Sequence, residues 1–189
     1  MTLELSETVL PVAKRNSTLV RNDEDRLVAE LEQLGITYLS RREPTSVDSV
    51  RAPHELLSDL IRQPNARVRG AAIAVLLLHP DFATAVPAAI SDLSQADQMT
   101  LRIFYTAAVI LQVKYAGRLQ IIAPSTRPLP DLFSVTLGVL RSGSPDEQLS
   151  ALGRIHQRLS GSAVNWAGTY DNIAQHLVNR LERERLWNL

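Results

Sequence analysis

The sequence predicts an all-α protein, a short array of helical hairpins or an irregular multi-helix bundle with a non-helical N-terminal arm. Three observations carry this. Two long blocks, 65–79 and 96–113, have helical patterning, and the first begins polar and becomes apolar on every side, as a helix buried on most of its faces does. The blocks also echo each other at a constant offset of 33 residues, which puts Arg102 on Arg69, Leu101 on Val68, Ala107 on Ala74, Ala108 on Val75 and Leu111 on Leu78. The extended run Ile36-Thr-Tyr-Leu-Ser, finally, has no strand to pair with except the arm, so it is expected to pack as extended chain on helices. The arm is placed at 1–21 and a single helical domain at 22–189.

In chain order, residues 1–21 carry alternating Leu3 and Leu5, then Pro11 and Lys14-Arg15, the pattern of an edge strand or a loosely attached terminus. Asn22-Asp-Glu-Asp then supplies a cap and acidic first-turn residues. Leu27, Val28, Leu31 and Leu34 form one stripe, and Gly35 ends the helix. An amphipathic run at 54–61 precedes the first long block across Gln63-Pro64-Asn65. His79-Pro80-Asp81 closes that block, and Pro87 can open a short helix before the turn at 94–97. Gly117 weakens the second block, which 119–122 can prolong, and Pro124, Pro128 and Pro130 make 123–131 a stiff connector. Asp131 can cap a helix over 132–140, Ser142-Gly-Ser-Pro-Asp-Glu starts a helix over 145–159 that stops at Gly161, and 165–170 reads as a turn. In the last helix, from about Asp171, Ile173, Leu177 and Leu181 face inward and Arg180 pairs with Glu184.

The run Leu56-Leu57, Leu60-Ile61, Pro64-Asn65, Val68-Arg69 and Ala71-Ala72 with a closing Leu78 resembles one unit of a HEAT-like helical repeat. A second unit, 86–111, places Leu101-Arg102 at the Val-Arg position, and a third, 132–159, has Ser150 where the arginine falls. Helix-pair repeats have periods of roughly 30 to 47 residues. The resemblance implies stacked outer and inner helices and a role as adaptor, regulatory subunit or, as in one branch of the family, DNA glycosylase, since fold alone does not select among these.

Composition narrows the classes. The 189 residues suffice for one sizeable core. There is no cysteine, so neither disulfides nor a thiolate zinc site can form. The N-terminus shows no basic region followed by an apolar core, and the longest apolar run, 71–78, falls short of the roughly 20 residues that cross a bilayer, so a cytoplasmic protein without membrane contact is expected. Net charge is +0, with only a mild basic excess over 51–130, eight against five. Nucleic-acid-binding domains are commonly far more basic, with pI above about 9, which argues against such a partner.

Catalytic and cofactor patterns are missing. His54, His79, His156 and His176 lie far apart and outside metal-helix spacings, and no phosphate loop or nucleophile elbow occurs. No catalytic, metal or cofactor residue is therefore assigned. Candidate interaction residues are Arg67, Arg69 and Arg102, which bind an acidic partner or brace adjoining repeats; Trp166 and Tyr170, which form a hot spot or anchor a loop; and the apolar tip Leu186, Trp187 and Leu189. The expected role is a non-enzymatic protein-interaction module, meeting another protein or a second copy as a homodimer. An antitoxin-like inhibitor of a neighbouring-gene enzyme and a nucleic-acid-binding HEAT-like protein are the alternatives.

Overall fold

A computed structural model describes residues 12–39, 49–124, 126–161 and 165–187, with 12–22 as backbone alone. These residues contain α1 (Val12–Gln33), α2 (Pro53–Arg62), α3 (Ala66–Leu78), a 3-10 helix (Pro80–Ala85), α4 (Val86–Ser91), α5 (Gln95–Lys114), α6 (Ala116–Ile122), α7 (Ser134–Leu137), α8 (Pro145–Ser160) and α9 (Ala167–Trp187). No strand occurs among them, and the protein is all-α.

Local signals account for most boundaries. The Asn65 side chain accepts from the Arg67 amide at 3.0 Å and opens α3. Ser94 caps α5 through the Asp97 amide. At α8, Ser144 accepts from the Glu147 amide while Glu147 Oε2 accepts from the Ser144 amide at 2.7 Å, so two otherwise orphaned donors are satisfied reciprocally. Gly35 takes a left-handed φ of 79° after α1, and the Ile36 amide turns back to the Leu31 carbonyl at 2.8 Å, which drives Ile36 into the core.

Three boundaries differ from the sequence reading. Helix α1 begins at Val12, so residues 12–21 of the expected non-helical arm are helical and Asp23 to Asp25 lie inside a helix instead of starting one. Nothing between Val12 and Asn22 breaks a helix, since that segment holds neither glycine nor proline. Residues 1–11, the remainder of the arm, lie outside the described residues. Helix α7 spans only Ser134–Leu137 where 132–140 was expected: Asp131 Oδ1 accepts from the Ser134 amide at 3.0 Å, and Gly138, at φ 71°, ends the helix after one turn. Helix α9 starts at Ala167, four residues early, because Asn165 Oδ1 accepts from the Ala167 amide at 2.9 Å and caps it. The second half of the expected 165–170 turn is thus the first turn of a helix.

Helix α3 is the centre of the protein. Its run from Gly70 to Leu77 is buried throughout, consistent with its lack of a polar face. It packs against α1, α2, α5 and α9, while α2 also packs on α4 and α5 also packs on α8. The two echoing helices are therefore direct neighbours, and Val68, Ala74, Leu101 and Ala107 are all buried. Helix α9 does more than cover the last layer, because it packs on α3, α5, α6 and α8 together. Gly70 permits this approach: a Cβ there would stand 2.7 Å from Ile173 Cδ1.

Polar ties lock α9 and the first segment in place. Lys114 Nζ bridges Asp146 of α8 at 2.5 Å and Asp171 of α9 at 2.9 Å, joining the ends of three helices. Arg118 binds the Glu182 carboxylate at 2.5 and 2.7 Å and Asn179 at 2.7 Å. The turn at 36–39 is held to α9 by Thr37, which donates to Glu184 at 2.8 Å. Between α1 and α2, the fully buried Glu30 carboxylate receives Arg26 at 3.0 Å and Arg51 at 2.9 Å, and Arg51 also reaches Asp59 of α2.

Candidate functional site

Arg67 and Arg69 do not share one face. Positions two apart on a helix point to different sides, and accordingly exposed Arg67 donates to the Tyr38 carbonyl at 3.2 Å while half-buried Arg69 donates to the Gln63 carbonyl at 3.1 Å. Arg69 thus ties α3 to the end of α2. Half-buried Arg102 makes no side-chain hydrogen bond or ion pair among the described residues. The sequence grouped the three by periodicity, but the fold gives Arg67 and Arg69 separate surroundings.

Trp166 and Tyr170 belong to an interior aromatic cluster. Tyr170 is fully buried, and its ring lies edge-to-face with Phe104, centroids 6.0 Å apart. His156 of α8 stacks on Trp166 at 5.1 Å and lies 2.5 Å from the Tyr170 hydroxyl through Nδ1. Burial, reinforced by the Arg69 guanidinium, lowers the His156 pKa to about 4. Burial likewise pushes the Tyr170 phenol well above its ordinary value. A neutral imidazole facing a protonated phenol leaves the hydroxyl as donor and Nδ1 as acceptor. The arrangement couples α8 to α9 from inside, and the half-buried Trp166 closes its outer side.

The C-terminal tip is open. Leu186 is 72% exposed and Trp187 86%, although the preceding turns of α9 bury Ala174, Leu177 and Val178. Leu189 lies outside the described residues. Arg185 donates to the Ile121 carbonyl, and Ile121, on the segment that meets the end of α9, is itself 63% exposed. Arg180, paired with Glu184 at 2.6 Å, and Arg183 flank Trp187 around a shallow hollow.

A second concavity, of about 370 Å³, opens where the start of α3 meets the start of α9. Tyr38, Arg67, Thr169, Asn172, Ile173 and His176 line it. Of these only Arg67 was a candidate interaction residue in the sequence, because the others are separated by up to 138 positions and belong to no shared motif. The common signal available beforehand was the start of each helix, and that of α9 was misplaced by four residues.

Among the described residues no group of three His, Asp or Glu side chains is arranged to hold a metal ion. No single described helix is long and apolar enough to cross a membrane. Comparison of the chain with family models, curated proteins and solved structures gives no match. The all-α architecture and these local geometries are therefore the basis for a functional reading.

Proposed function

We propose that this chain is a non-enzymatic interaction protein of the cytoplasm, an adaptor or regulatory subunit, which meets a partner protein through the end of α9. The observation that carries the reading is Trp187, 86% exposed beside Leu186 on a helix whose earlier turns are packed. Leaving two large apolar side chains in water forgoes roughly 1.5–3 kcal/mol each of burial free energy. Tryptophan is enriched in protein interfaces and dominates their energetic centres, and the flanking arginines provide the polar rim such contacts have. The packing of α2 on α4 beneath α3 on α5 supports a short HEAT-like array as the scaffold that presents this tip.

Deleting residues 186–189 tests the reading. The expected result is unchanged thermal stability of the monomer together with loss of a homodimer in sedimentation, or of a co-purifying protein from the native host. A concentration-independent fall in Tm, with no change in any complex, would make the tip an intramolecular cap and refute the reading.

A further inference from the structure

We infer that the partner docking on the end of α9 is an acidic protein segment, and that an apolar side chain of this segment seats in the neighbouring groove between the end of α5, α6 and the connector that follows. The inference rests on the tip of α9 being an interface. Val113, Ala116, Leu119, Ala123 and Pro128 line the groove, and no ionisable residue does. Its volume, about 260 Å³, is below the roughly 300–1,000 Å³ of small-molecule sites and suits one or two side chains. One wall is fixed by Gln112, which donates to the Arg127 carbonyl at 3.0 Å and accepts from the Leu129 amide at 2.7 Å, holding the connector against α5.

Groove and tip adjoin. Helix α6 runs along α9 in the same direction, with Tyr115 bonded to Asp171, Arg118 to Asn179 and Glu182, and Arg185 to the Ile121 carbonyl. Val113 on the groove and Ile121 beside the tip are 66% and 63% exposed, so the apolar side chains left in water at this end are not confined to α9.

Charge selects the partner. Residues 112–128 and 179–187 hold six cations, Lys114, Arg118, Arg127, Arg180, Arg183 and Arg185, against two carboxylates, Glu182 and Glu184. Arg118 and Arg180 hold those two, and Lys114 is shared by Asp146 and Asp171. Arg127, Arg183 and Arg185 make no ion pair among the described residues, in a chain whose net charge is +0. Exposed Arg127 lies between two residues of the groove wall, Thr126 and Pro128, while Arg183 and Arg185 precede Leu186 and Trp187. Carboxylates on either side of a seated apolar residue would meet these arginines. A second copy docked about a two-fold axis would set the surplus of positive charge against itself. A flat bilayer would leave the groove unfilled, and a phosphate backbone has no use for an uncharged one.

Fluorescence anisotropy of the full chain with a labelled short peptide alternating leucine and glutamate tests this, beside its leucine-lysine and serine-glutamate counterparts. The expected result is saturable binding of the first peptide alone, weakening as salt is added. Ala116→Glu puts a carboxylate in the groove at an exposed first-turn position of α6 and should weaken binding by about tenfold or more, whereas Ala116→Ser should not. Reversing Arg183 and Arg185 together, by Arg183→Glu and Arg185→Glu, should weaken it by about as much. No saturable binding, equal affinity for the lysine peptide, or equal affinity in Ala116→Glu would overturn the proposal. So would dimerisation through the tip, or capture by phosphatidylserine vesicles, with no peptide bound. A native complex lost on deleting 186–189 without any peptide binding would leave the tip an interface and sink only the acidic partner. A concentration-independent fall in Tm on that deletion would sink both.

Discussion

The Tyr170 hydroxyl lies 2.5 Å from Nδ1 of His156, and this bond ties α9 to α8 through a neutral imidazole. Burial, then the charge of Arg69, lowers the His156 pKa from 6.5 to about 4. The unfolded chain therefore takes up a proton at higher pH than the folded one. Stability from this group is complete above about pH 6.5 and is lost as pH falls through about 4, a change of about 3 kcal/mol in all. Denaturant unfolding between pH 6.5 and 5, above most carboxylate titration, should show the slope in the unmodified protein. His156→Gln should flatten it.

Gly153→Ala should destabilise by about 2 kcal/mol, although alanine ordinarily improves a helix interior. A Cβ at Gly153 would stand 2.0 Å from Asn165 Oδ1 and 2.9 Å from the Ala167 backbone nitrogen, so the cap of α9 must move. Urea unfolding measures the loss. A neutral or stabilising result would show that α8 and the start of α9 are not this close.

Arg51→Ala removes the principal partner of the fully buried Glu30 carboxylate and one partner of Asp59. Stranding a buried charge is expensive, and roughly 3 kcal/mol should be lost. The nearby Arg62→Ala, at an exposed pair with Asp59, should cost less than about 1 kcal/mol. The contrast between the two midpoints, measured in one buffer, checks the assignment.

Arg69→Gln should lower Tm, since the charge-assisted bond to the Gln63 carbonyl is worth about 1.5–3 kcal/mol. It should also raise the His156 pKa, because the guanidinium is one of the two causes holding it down. The acid-sensitive window of the first prediction would then narrow. NMR titration of the His156 ring reads this shift independently of stability.

The sequence by itself determined the helical class and the cores of the main elements. Those signals are local: the apolar run of α3, the Ser144 and Glu147 capping pair, the glycines after α1 and α8, and the stripe of Ile173, Leu177 and Leu181, of which Leu177 is buried and the other two are half-buried, act over a few residues. The same locality explains the errors. Gly138 and Asn165 each have more than one use, and only the surrounding packing selected a one-turn α7 and an early α9. Tertiary structure alone decided that α9 would pack on four helices, that Arg67 and Arg69 would part company, and that Tyr38 would meet Arg67, Thr169 and His176 around one pocket. Those meetings depend on how far the helices approach one another, as at Gly70 against Ile173, and no pattern along the chain encodes the distance between residues that far apart.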